Sequence, residues 1–202
     1  MTEHFNYKTI SRPAIAEFKD RGSRFIAYSY PVISSDDCKE KLSLLKKEHP
    51  KAVHHCVAYR LGLDKNNFRA SDDGEPSGSA GKPILGQIDS RELTNTIIIV
   101  VRYFGGTLLG VPGLINAYKT AAAMVLQLSP IVQKPVMIKR KINFNYPQMN
   151  DVMRIIKNFN CEIIEQELNL FCMMQIDIPK SKAEEAITAF KDLRDVEINA
   201  AP

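Results

Sequence analysis

Three carboxylates crowd one polar stretch of this chain: Asp72, Asp73 and Glu75, within RASDDGEPSGSAGK. Clustered carboxylates can hold a divalent cation or act as general acid and base. They can also cap helices, accept backbone N–H groups or pair with cations, here Arg69 and Arg102. No nucleophile–base pair accompanies them, so the structural role is the stronger reading, with no catalytic residue and no metal. Gly74 to Lys82 looks like a phosphate loop but fails the G-x-x-x-x-G-K-[ST] pattern. Pro76 stands where its first glycine belongs, and Pro83 replaces the Ser or Thr that would hold magnesium. His54 and His55 are adjacent on a strand pattern and point to opposite faces, so they cannot chelate one ion. His4 and His49 have no ligand spacing either.

The elements that must position these residues follow at once. Ile97 to Val101 is five consecutive β-branched residues, which suits a strand buried on both faces. After it come Arg102, Tyr103, Phe104, Gly105, Gly106, Gly110 and Gly113. A helical pattern opens at Gly113-Leu114, with Ala117, Tyr118, Ala121, Ala122 and Val125 on one face. Strand, glycine loop and helix can present N–H groups and a positive helix end to an anion. The acidic loop, with Ser77 and Lys82, is expected to lie against the segment from Arg102 to Gly113. Together they form one binding groove that reaches Asn116.

SDDGEPSGSAGKPIL followed by VVRYFGGTLLGVPGLINAY resembles the signature of the IMPACT/YigZ family, over about Phe18 to Leu128. The resemblance implies a first domain folded like the second domain of a small-subunit ribosomal protein. It also implies a second domain like the last domain of elongation factor G. In eukaryotic members the signature domain interferes with activation of a kinase that controls translation initiation. The implied function is that of a non-enzymatic, translation-linked regulator. Leu108 stands where some members carry lysine, Pro112 where glycine is usual, and Asn116 where arginine or lysine is frequent. These departures remove positive charge and stiffen the loop, which weakens any anion-binding role.

A chain of 202 residues, 45% hydrophobic and 25% charged, can bury one sizeable core or two small ones. No run is long and apolar enough to span a membrane, and MTEHFNYKTI lacks an apolar signal segment, so a cytoplasmic location is expected. Cys38, Cys56, Cys161 and Cys172 are scattered, as buried free thiols are. The net charge of +4 arises before residue 134, where 17 Lys/Arg face 13 Asp/Glu. Beyond that point the count is 10 against 10. This bias is far below the charge runs of nucleic-acid binders.

The expected fold class is α+β in two domains, residues 1–133 and 134–202, with Ser129-Pro130 and Lys134-Pro135 bracketing the boundary. Ala14–Phe18 and Phe25–Val32 read as a hairpin, Ser34 as the start of a helix ending before Pro50, and Val53–Leu61 as a strand. Asn66 to Ser79 reads as a long loop, and Pro83 as the first residue of a short helix. From Val136 onward the pattern predicts βαββαβ, the ferredoxin-like plan. Its first helix opens at Pro147, and Ser181 to Glu184 has the pattern of a capping box for the second.

Three function classes stay open: an RNA- or ribosome-linked regulator, a protein-binding adaptor, and, last, a phosphate-handling enzyme. No cofactor is expected. The expected partner is RNA or ribosome, or a translation-associated protein, with no membrane involved.

Overall fold

The computed structural model describes residues 5–64 and 66–201, so His4 lies outside the described residues. The chain divides into two compact units. One holds Tyr7–Lys134; the other holds Pro135–Pro202 together with Met1–Asn6.

The first unit is built from β1 (Asn6–Ile10), β2 (Ala14–Asp20), β3 (Ser23–Pro31), α1 (Ser35–Glu48), β4 (His54–Leu61) and β5 (Asn67–Ser71). It continues with α2 (Gly81–Ser90), β6 (Thr96–Tyr103), α3 (Gly110–Leu128) and β7 (Ile131–Pro135). Five of these strands form an antiparallel sheet in the order β2-β3-β6-β4-β5. The β-branched run therefore occupies the centre, and Ile97 to Val101 are wholly buried. Alternation sends Ile98 and Val100 toward α2 and α3, where they pack with Ile84, Ile88, Ala117 and Tyr118. Ile97, Ile99 and Val101 pack on the opposite face with Leu45 and Cys38 of α1. Helix α1 starts with a capping box, in which Ser34 and Asp37 satisfy each other's backbone N–H groups.

The second unit runs β8 (Met137–Asn145), α4 (Met149–Asn158), β9 (Glu162–Glu167), β10 (Phe171–Pro179), α5 (Ala183–Lys191) and β11 (Val196–Ala200). Its sheet is ordered β11-β8-β10-β9. Ile142, Phe144, Met174 and Ile176 pack there with Val152, Ile156, Ala186 and Phe190 of the two helices. This is a βαββαβ unit with one face of its sheet covered by α4 and α5.

Local details depart from the pattern reading. Asn67–Ser71 is a strand and not loop, because it hydrogen-bonds to the edge of β4 although its residues are mostly exposed. Helix α2 begins at Gly81, ahead of Pro83, and α3 begins at Gly110, since proline in a first turn has no N–H that the helix needs. Ser181 makes no capping box. A 3₁₀ turn over Lys180–Lys182 leads into α5, and the Ala183 N–H bonds to Lys180 within it. The stretch around Ser129–Val136 contains strand β7, which pairs with β1. Among the described residues no helix is long and apolar enough to cross a membrane.

Candidate functional site: a locked acidic loop under a glycine-rich lip

The loop from Asp72 to Ala80 connects β5 to α2, and each of its acids has its own structural partner. The Asp72 carboxylate accepts the N–H groups of Gly78 (2.8 Å), Ala80 (3.0 Å) and Gly81 (2.8 Å). It thus fills the N-terminus of α2, the place a phosphate takes in a nucleotide loop. Burial pushes its pKa up, yet the three N–H donors outweigh that and hold it below the ordinary carboxylate value.

Asp73 accepts the backbone N–H of His55 at 2.7 Å and the Lys46 ammonium at 3.2 Å. Its carbonyl lies 2.7 Å from His54 Nδ1, so that nitrogen carries the proton. His54 Nε2 then faces Glu75 Oε1 at 3.8 Å. His55, its neighbour, turns to the other side of the sheet and is buried, and desolvation lowers its pKa.

Glu75 is the centre of the lock. Its Oε1 accepts from Arg102 Nη1 at 2.6 Å and from the Tyr118 hydroxyl at 2.7 Å. The side chains of Arg102 and Glu75 are only 6% and 3% exposed. Arg102 sits at the end of β6, its guanidinium flanked by Phe25 at 5.4 Å and Phe104 at 5.7 Å. Burial foremost, then the neighbouring Cys56 and Glu75, raises the Tyr118 hydroxyl far above its ordinary range. Cys56 donates its thiol to the Asp72 carbonyl and is likewise raised by burial. The loop acids are thus engaged by backbone, lysine, arginine and tyrosine.

Outside the lock lies the glycine segment. Gly105 makes a close approach: a Cβ there would sit 1.9 Å from the carbonyl carbon of Gly22 in the β2–β3 turn. Its N–H bonds to Ser23 Oγ, which also lies 3.4 Å from Arg102 Nη2. Gly106 and Gly110 have φ of +86° and +68°, which let the chain curl into α3. Gly113 falls in the first turns of α3, and Asn116 is exposed one turn later. Phe104, Leu108, Val111 and Ile115 are all exposed, Leu108 by 83%, and make an apolar lip. From Tyr103 to Tyr118 the segment carries no charged residue.

The structure brings together Asp72, Glu75, Arg102, Phe104 and Gly105. Ser77 is exposed on the loop, and Lys82 runs along Gly78 at the start of α2. Three residues read into the groove turn elsewhere, the first being Asp73, whose carboxylate meets Lys46 of α1. Tyr103 turns to the α1 face, where its hydroxyl meets His49 Nδ1 at 2.9 Å, because it follows Arg102 on a strand. Arg69 is exposed on edge strand β5, opposite Tyr59. The residues that sequence reasoning left out of the site are His54, Cys56, Tyr118 and Ser23. The helical stripe that holds Tyr118 is the one signal that marked any of them, and it marked Tyr118 as facing inward.

A family model described as the Impact N-terminal domain matches residues 21–126, a span that contains every residue of the lock. The chain belongs to the IMPACT family. An IMPACT family member from Haemophilus influenzae is 32% identical over 183 residues, covering 87% of this chain and 84% of that protein. IMPACT family member YigZ of Escherichia coli is 32% identical over 165 residues, covering 81% of each chain. A crystal structure of a hypothetical protein matches with a TM-score of 0.78 and 27% identity, over 99% of both chains. Likeness to IMPACT family members therefore extends past the signature domain into the second unit.

Proposed function

We propose that this IMPACT family chain is a non-enzymatic, translation-linked binding protein, and that the lip of its first unit holds a polypeptide partner. Family membership supports the link to translation. The uncharged lip of Phe104, Leu108, Val111 and Ile115 carries the choice of partner. A run of exposed apolar side chains along one uncharged segment favours shape and burial over phosphate contacts. Asp72 already fills the nearest ready-made anion site. The loop acids have structural partners, which supports binding over turnover. The βαββαβ order supports likening the second unit to the last domain of elongation factor G.

The test is co-sedimentation of the full chain with ribosomes and ribosome-associated proteins over a range of salt. Binding that survives salt and is lost in Leu108→Asp, with unchanged melting temperature, is the expected result. Binding that falls steeply with salt and ignores Leu108→Asp would favour an RNA contact and reject the lip.

A further inference from the structure

The sheet of the second unit has a face that α4 and α5 do not cover. Alternation assigns its residues: Ile142, Phe144, Cys172, Met174 and Ile176 point to the helices, so their neighbours point away. The strand registers set those neighbours in rows. Glu197, Asn143, Met173 and Glu167 lie side by side across the four strands. Asn199, Lys141, Gln175 and Glu165 form the next row, and Lys139, Asp177 and Glu162 the one after. At the other end Asn145 pairs with Phe171, which is 81% exposed. A groove of about 450 Å³ opens there, lined by Asn143, Asn145, Phe171, Met173, Asp195 and Glu197.

The charge of this face is opposite to that of the chain as a whole. Asp195 and Glu197 flank the groove on one side and Glu167 on the other. Glu165, Asp177 and Glu162 extend the acidity toward β9, against Lys139, Lys141 and the exposed Arg194, whose Nε lies 3.8 Å from Asp195 Oδ2 and which an incoming cation would displace. Such a surface repels a phosphate backbone. The middle positions of the two central strands, Lys141, Asn143, Met173 and Gln175, also offer no aromatic ring on which a base could stack. An arginine or lysine side chain fits both parts of the groove. Its cation meets carboxylates, and its stem or guanidinium plane lies on Phe171 and Met173.

We infer that this face is a docking surface for a basic segment of a partner polypeptide, whose arginine or lysine side chains seat between Phe171 and the Asp195–Glu197 pair. The inference is independent of the lip on the first unit. The probe is a short fluorescein-labelled peptide alternating arginine with alanine, titrated into the full chain by anisotropy and by amide chemical shifts. Expected shifts centre on Asn143, Phe171 and Glu197. Asp195→Asn combined with Glu197→Gln weakens binding about tenfold, as two partly exposed ion pairs do, and Phe171→Ser weakens it further. Leu108→Asp leaves it unchanged. Shifts centred elsewhere, unchanged affinity in folded variants, or loss in Leu108→Asp would overturn the inference. Tighter binding of an oligouridylate to the same amides would also overturn it. The shift map on the unaltered chain decides the matter even where a variant misfolds.

Discussion

Two ion pairs of nearly equal length should differ several-fold in their worth to this protein. Arg102–Glu75 is 2.6 Å long with side chains 6% and 3% exposed; Lys8–Glu92 is 2.7 Å long with side chains 49% and 67% exposed. Truncating Glu75 to alanine leaves the Arg102 guanidinium buried and uncompensated, which costs about 3–5 kcal/mol. It also strips the Tyr118 hydroxyl of its acceptor. Lys8→Ala removes an attraction that water already screens, worth about 0–1 kcal/mol. Urea unfolding followed by tyrosine fluorescence isolates the effect. The chain has no tryptophan, and every tyrosine except Tyr146 lies in Tyr7–Lys134. Replacing the whole cluster with Glu75→Leu, Arg102→Met and Tyr118→Phe should recover most of the loss, since no buried charge is then left unpaired. A Glu75→Ala loss no larger than that of Lys8→Ala would refute the lock.

Three further substitutions have outcomes that the structure fixes. Asp72→Asn weakens the acceptor for three N–H groups and costs about 1–3 kcal/mol at neutral pH. The folded pKa of Asp72 is depressed, so this stability is present above the unfolded value of about 3.9 and is lost as pH falls through the folded value. Urea midpoints of the two proteins should therefore converge in acid, and a gap that widens in acid would contradict the assignment. Among the glycines, Gly86→Ala should stabilise by about 0.5–1 kcal/mol, because a Cβ there meets nothing within 4 Å. Gly105→Ala should sharply lower the melting temperature through its collision with Gly22.

What the sequence makes legible here depends on whether a signal is local. The run Ile97–Val101 announces a buried strand by stiffness alone, and the periodicity after Pro112 announces a helix. The acidic loop is visible as a loop, but its hydrogen bonds are not. Asp72 pairs with N–H groups six to nine residues ahead, and Glu75 with residues 27 and 43 positions away. Nothing in the composition distinguishes Arg102 from Arg69 as a partner; only the strand order does. Strand β5 escapes detection because NFRAS is only five residues long and sits within a polar stretch, so its brief alternation of polar and apolar residues does not stand out. Its ladder with β4 supplies the reason for its conformation. The Ser181–Glu184 pattern fails for the opposite reason, since a short motif is overruled by the 3₁₀ turn that enters from Pro179.

The central place of β6 has a consequence for biosynthesis. The hairpins β2–β3 and β4–β5 leave the ribosome first, yet in the finished sheet β3 and β4 are joined only through β6. Until residues 96–103 emerge, each half-sheet offers an unsatisfied backbone edge, and the apolar surfaces of β3 and β4 have no central neighbour. At about 5–20 residues per second, that interval lasts seconds. The Glu75 cluster must wait longer still, because its last member, Tyr118, is made after all the strands of the five-stranded sheet. A nascent chain whose two hairpins have emerged while residues 96–103 have not is therefore a form prone to aggregation.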